Sequence, residues 1–360
     1  MSLASISFAR RLGNWTALFV ALVLGTYGET SAARTAENHT IEVAPACVFS
    51  GETVELIVSW QAREQDGPLH DVRWSLLRRG RRIDSGFMTH VVESAEAGAY
   101  SGRIKLESPV LEPGVTLATE LHLSHPGNRL EGHVNLHIFS PDAFAHVDRN
   151  AIASLLHVFD PEGATAHALD AADIAYRRID LLGDVDTARA GLLLVGEGAA
   201  LDAPAGLWSA LLAAAQRGVD VAVFAPASGK VACEFLATPQ NDSPVNVIWG
   251  ESLDLRRYDE RFEERRARFF ENSTPRRGFS LACVRNRMHL QFGVEEGWSS
   301  CEFEFATPAT GQRAGRLSLS CLPLASQWHV SPVPRYLLLH LLDRSRPRDA
   351  SREVQSATNP

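Results

Sequence analysis

The chain has almost no lysine. Lys105 and Lys230 are its only two, and arginine supplies the rest of its 35 basic residues. A bias this uniform reads as the codon usage of a GC-rich bacterial genome rather than as a binding signal. Against 43 acidic residues the formal net charge is -8, and no basic stripe runs along any segment. The long-range field therefore repels polyanions, which argues against nucleic acid as a partner. Cysteine is also scarce: Cys47, Cys233, Cys283, Cys301 and Cys321, with no C-x-x-C pair among them. That spacing argues against a structural zinc or a thioredoxin-like site. Small buried residues are expected instead, and one disulfide among the last three stays open in an oxidising compartment. Beyond the N-terminus no apolar run is long enough to cross a bilayer. The 360 residues suffice for two domains, each with its own core.

The first residues predict export. Arg10 and Arg11 form a positive n-region, Trp15 to Leu24 an apolar stretch too short to span, and "TSAA" a run of small residues for cleavage near Ala33. A retained membrane anchor is the competing reading. The mature chain is expected to begin near Arg34, secreted or periplasmic, with no stable membrane span after cleavage.

From about residue 40 to 141, short apolar alternations are separated by Gly, Pro and Asp-Gly punctuation, with little helical period. Strands are predicted over 53–60, 72–77, 86–92, 102–107, 116–123 and 133–139, which suggests an immunoglobulin-like sandwich. The Cys…Trp…Cys pattern of antibody domains is missing. His133 and His137, four apart, would suit a metal on a helix. On a strand they share the polar face with Asn135 while Val134, Leu136 and Ile138 turn inward. With no third ligand placed by the sequence, no metal is expected there.

After residue 150 the period changes. Strands are predicted over 155–160, 174–180, 191–201 and 219–226, with helices over 161–173 and 205–218, the second closed by Gly218. Near-continuous apolar strands between helices describe a mostly parallel sheet covered by helices. Residues 251–270 hold six acidic and six basic side chains, which fits a solvated helix with i,i+4 ion pairs. Four more strands follow over 278–284, 287–293, 300–306 and 316–324, then a closing helix over 331–344. Residues 344–360 are polar and read as a disordered tail.

In an open parallel sheet ligands bind beyond the C-terminal strand ends, which here are the loops after Phe159, Val195 and Phe224. A phosphate loop at Gly229-Lys230 fails, because Phe224 stands where its first glycine belongs and Val231 where Ser/Thr would hold magnesium. A nucleophile elbow at Ser228 fails for want of small residues at Pro226 and Lys230. An N-cap for a short helix through "VACEFLA" explains Ser228 more simply. Glu197, between Gly196 and Gly198, could stand at a cleft mouth as ligand or acid, though glycines are common at any such turn. Asp160 and Glu162 follow the first strand. These four, Asp160, Glu162, Glu197 and Ser228, are the candidate ligand-binding residues, with no catalytic residue, metal or cofactor assigned. Trp208, Trp249, Trp298 and Trp328 could stack on sugar rings if exposed, but core positions are the stronger expectation.

"VFDPEGATAHALDAADIAYRRID", "ARAGLLLVGEGAAL", "LLAAAQRGVDVAVFAP" and "GRLSLSCLPLASQWHVSPVPRYLLLHLLD" together resemble the class I glutamine amidotransferase-like domain. More narrowly they are similar to the version behind immunoglobulin-like domains in large secreted bacterial glycoside hydrolases of the β-galactosidase type and in related exported proteins. The resemblance covers about residues 150–343 and implies a flavodoxin-like α/β fold. A working glutaminase of that family places a cysteine in a G-x-C-x-G elbow after the strand that here is "VAVFAP", and a His-x-Glu pair after a late strand. This chain reads Ala225-Pro226-Ala227-Ser228-Gly229 at the elbow, with Cys233 too far along. It reads Leu322-Pro323-Leu324 after the late strand, and His329 is followed by Val330 and Ser331. The resemblance thus implies the fold with its acyl-transfer machinery gone. The expected organisation is a signal (1–33), an immunoglobulin-like sandwich (40–141), an amidotransferase-like α/β domain (150–343) and a tail. Its function would be a non-catalytic binding or structural one, with carbohydrate or another exported protein as partner. A hydrolase using the strand-end carboxylates is the alternative.

Overall fold

Alternation of apolar and polar residues dominates from about residue 41 to 139, and in the computed structural model the described residues of this region are built mainly of strands. The structure describes residues 41–61, 71–93, 99–125, 130–237, 244–250, 277–294, 297–306 and 315–346. The expected export signal, the charged helix over 251–270 and most of the expected tail lie outside these residues.

The first strands are β1 (Ile41–Ala44), β2 (Cys47–Phe49), β3 (Thr53–Gln61), β4 (Arg73–Arg78) and β5 (Arg81–Phe87). They are followed by β6 (Thr89–Glu93), β7 (Ala99–Glu107), β8 (Thr116–Ser124) and β9 (Glu131–Phe139). They form a sheet of order β1-β3-β7-β6 and another of order β2-β9-β8-β4-β5. Inward residues of both, among them Leu56, Val58 and Ile104 from one and Leu76, Leu121, Val134 and Leu136 from the other, share one core. Period-two burial follows directly from the pleat.

The strand expected over 86–92 is in fact two, in different sheets. Met88 breaks it: its N–H donates to Val72 O at 2.9 Å, and its side chain is buried. The thioether lies where a Cβ on Gly102 would stand, only 2.2 Å from Sδ, so the glycine makes room for the crossing. Alternation alone does not mark a strand that changes sheets.

Helix α1 (Arg149–Leu155) starts at Asp148, whose carboxylate accepts from Asn150 N at 2.9 Å. Then come β10 (Leu156–Phe159), α2 (Ala164–Ala171), β11 (Arg177–Ile179), β12 (Leu192–Val195), α3 (Leu207–Gln216) and β13 (Asp220–Phe224). The remaining strands are β14 (Gly229–Ala232), β15 (Pro244–Gly250), β16 (Gly278–Val284), β17 (Arg287–Val294), β18 (Ser300–Phe305) and β19 (Arg316–Ser320). A one-turn helix α4 (Glu234–Ala237) and the closing helix α5 (Val333–Ser345) complete the described elements.

A seven-stranded sheet has the order β11-β10-β12-β13-β19-β18-β15. Its first five strands run parallel, and β18 is antiparallel to both its neighbours. Apolar side chains leave both faces. Leu193, Val195, Val221 and Val223 pack with Trp208 and Leu211 of α3, while Leu192, Leu194 and Ala222 pack with Leu169 of α2 and Leu337 and Leu338 of α5. A sheet buried on both faces needs such continuous apolar strands. A small sheet of order β14-β17-β16 lies beside it in sequence and shares the α3-side core. With four sheets among the described residues the protein is β-rich. Within β10, His157 is buried with Nδ1 unpartnered. Burial, helped by the nearby Arg177 charge, holds its pKa below the ordinary 6.5.

The two parts meet over a packed seam. Phe139 at the end of β9 stacks 4.7 Å from Tyr336 of α5, whose hydroxyl donates to Ser140 O at 3.3 Å. Arg335 places its guanidinium 4.6 Å over the Phe49 ring, donates Nε–H to Trp328 O at 2.9 Å and bonds Pro141 O through Nη1. Burial lowers its pKa, against the pull of Glu52 and Asp142.

Candidate functional site at the parallel strand ends

Five parallel strands end on one side of the large sheet. β10 has β11 on one flank and β12 on the other, so the chain leaves it in opposite directions and a crevice is expected between the ends of β10 and β12. Asp160 and the Gly196-Glu197-Gly198 turn stand there.

Asp160 is buried. Its Oδ2 accepts from Ala166 N at 2.7 Å, satisfying a free donor in the first turn of α2. Its Oδ1 is buried with no partner. A Cβ on Gly196 would stand 2.1 Å from that oxygen, so only glycine lets the turn after β12 pass the carboxylate. Glu162 is exposed at the start of the same loop.

Glu197 faces the fold rather than an open cleft. Its N–H donates to Thr165 Oγ1 at 2.9 Å, and its Oε2 accepts from Ala325 N at 2.7 Å and Ser326 N at 3.1 Å. One residue thus joins α2, the turn after β12 and the segment after β19. Thr165 is 1% exposed and completes the tie. It sits inside an alanine-rich helix, and nothing in the sequence singles it out.

Ser228 is exposed and enters the hydrogen bonding through its backbone. Its carbonyl accepts from Leu201 N at 2.9 Å, beside Ala227 N to Ala199 O at 3.1 Å and Gly198 N to Ala225 O at 3.0 Å. After β13 the chain runs alongside residues 198–201 and then into β14. The expected helix through "VACEFLA" therefore starts late, with Val231 and Ala232 in a strand, and Ser228 does not cap it. Gly229 and Val231 turn inward while Lys230 and Ala232 turn out, a period of two that pairs with β17. Only Glu234–Ala237 is helical.

Residues that sequence reasoning passed over lie further along this edge. Arg277 donates Nη1–H to Ala227 O at 3.1 Å. Cys321 follows β19 with its sulfur 4.0 Å from Trp298 O. Burial pushes its thiol up to about 12, with the Arg277 charge pulling the other way, so it is no thiolate nucleophile at neutral pH. Burial pushes Cys233 up to about 12 as well, and Cys301 also upward. Cys233, Cys283, Cys301 and Cys321 are free thiols. Trp208 and Trp328 are core residues, whereas Trp249 and Trp298 are half-buried and pack together at 4.3 Å. Among the described residues no three His, Cys, Asp or Glu side chains gather as a metal site.

The structure therefore places Asp160 and Glu197 at the ends of adjacent strands and ties both to backbone donors. It leaves Glu162 and Ser228 at the surface. A carboxylate whose oxygens accept fixed backbone N–H groups suits tethering better than proton transfer.

No protein-family model matches the chain, and no curated protein matches it. Solved structures that it matches include an engineered protein, at 11% identity and TM-score 0.18, over 29% of this chain and 21% of that one. Another is a cycloisomaltooligosaccharide glucanotransferase of Paenibacillus sp. complexed with cycloisomaltoheptaose, at 6% identity and TM-score 0.23, over 70% of this chain and 33% of that one. A third is a family 123 glycoside hydrolase from Clostridium perfringens, at 8% identity and TM-score 0.20, over 60% of this chain and 42% of that one. This chain thus spans less than half the length of each, and TM-scores this low establish no shared fold or function.

Proposed function

We propose that the chain is an exported, non-catalytic binding or structural protein, with an immunoglobulin-like sandwich followed by an amidotransferase-like α/β domain of flavodoxin-like order. The observation that carries the functional reading is the Glu197 tie. The carboxylate best placed to act at the crevice is spent on Ala325 N and Ser326 N. The strand order, with β10 flanked on both sides, supports the fold assignment. The partner is carbohydrate or another exported protein. The carbohydrate option rests on the sequence resemblance, with Trp249 and Trp298 as half-buried tryptophans among the described residues.

A second reading, a hydrolase with a non-standard carboxylate site, is favoured by one feature: Asp160 Oδ1 is buried without a partner. Purified mature protein incubated with a panel of polysaccharides separates the two. Retention on a polysaccharide without release of reducing ends supports the binding module. Release of reducing ends that is lost in Glu197→Gln or Asp160→Asn replaces it with the hydrolase.

A further inference from the structure

The exposed face of the β2-β9-β8-β4-β5 sheet carries a histidine pair far in sequence from the strand-end residues. His133 sits on a strand whose own spacing offers only His137 as a second ligand. The neighbouring strand supplies a better one: His122 of β8 is the direct cross-strand partner of His133 of β9. The two rings stack with centroids 5.2 Å apart and planes 19° from parallel. Glu120, two residues before His122 on the same face, holds Oε2 2.9 Å from His122 Nε2. The His122 and Glu120 side chains are 39% and 49% exposed.

We propose that His122 and His133 bind a divalent transition-metal ion between the two strands, with Glu120 positioning His122. Residues directly opposite on antiparallel strands have Cβ atoms about 4.5–5.5 Å apart, a span that two imidazoles can close around one ion. Imidazole nitrogen suits Cu²⁺, Ni²⁺ and Zn²⁺ and not the hard cations Ca²⁺ and Mg²⁺. The carboxylate does what such neighbours do for metal-ligating histidines. In the tautomer that donates Nε2–H to Glu120, the His122 Nδ1 lone pair is left for the metal. Among the described residues no third protein ligand converges here, so water or a bound ligand completes the coordination. Binding requires the stacked side chains to turn between staggered rotamers.

The test is calorimetric titration of the tag-free full chain with Ni²⁺ and with Zn²⁺ at pH 7.5, alongside His122→Ala, His133→Ala, Glu120→Gln and His167→Ala. One equivalent should bind. Either alanine at the pair should abolish it, Glu120→Gln should weaken it about tenfold, and His167→Ala on α2 should leave it unchanged. Thermal midpoints of the variants check that each is folded. Binding that survives both His122→Ala and His133→Ala in folded protein overturns the proposal, as does the absence of binding by wild-type protein.

Discussion

The two ends of the parallel sheet use carboxylates in opposite ways. At the C-terminal end, Asp160 and Glu197 accept backbone N–H groups and so fix loops. Toward the other end the acids meet side chains. Asp220 accepts from Ser345 Oγ at 3.0 Å, and Glu302 holds Arg344 at 2.9 Å with Arg316 at 3.8 Å. These bonds clamp the last turn of α5 to β13 and β18. A loop tie needs one acid and the right backbone; a clamp between elements needs a charged partner of the right length. The end where such sheets hold ligands is thus stitched by its acids, and the opposite end is riveted.

The rivet should be the more sensitive. Glu302→Ala removes the buried carboxylate that Arg344 meets at 2.9 Å, while Arg316 keeps Glu304 at 3.1 Å. It should cost about 3 kcal/mol in urea unfolding. A loss no larger than that of Glu197→Ala would mean the rivet is not the more sensitive end. Glu197→Ala removes a charged acceptor from two N–H groups and should cost about 2 kcal/mol, with Glu197→Gln losing less because its carbonyl still accepts. Equal losses from alanine and glutamine would show that charge, not geometry, makes the tie.

His157, between the two ends, gives the comparison a pH axis. Its folded pKa lies below 6.5, so the native state binds fewer protons than the unfolded chain. Stability from this group is complete above pH 6.5 and falls as pH drops through the folded value. His157→Gln should flatten that part of the stability–pH curve, and an unchanged slope would assign the dependence to other groups. Ser228→Ala should be the mildest change, within about 0.5 kcal/mol, because its side chain is exposed and its structural bonds are made by the backbone.

Legibility followed the range of the forces involved. The strands over 53–60, 116–123 and 133–139 and the helices around Leu207–Gln216 and Val333–Ser345 could be read because burial imprints a local period. The crevice residues Asp160 and Glu197 could be located because strand ends follow from that period. Their partners could not. Glu197 meets Ala325 and Ser326 across 128 and 129 residues, through backbone groups that carry no side-chain signature. The crossing at Met88 and the strand at Gly229–Ala232 failed for the same reason, since each is decided by a neighbour distant in sequence. The His122–His133 pair is likewise invisible until the register of β8 on β9 is known.

The seam at Phe139, Tyr336 and Arg335 bears on how such a chain can be recombined. A cut in the linker at residues 141–149, where the period changes, parts two aromatic rings and strips a guanidinium of its cover. Each fragment would carry a sticky scar about one ring wide. Modules that travel between proteins usually separate cleanly; these two would have to be inherited together, or re-tailored at those positions before either could take a new neighbour.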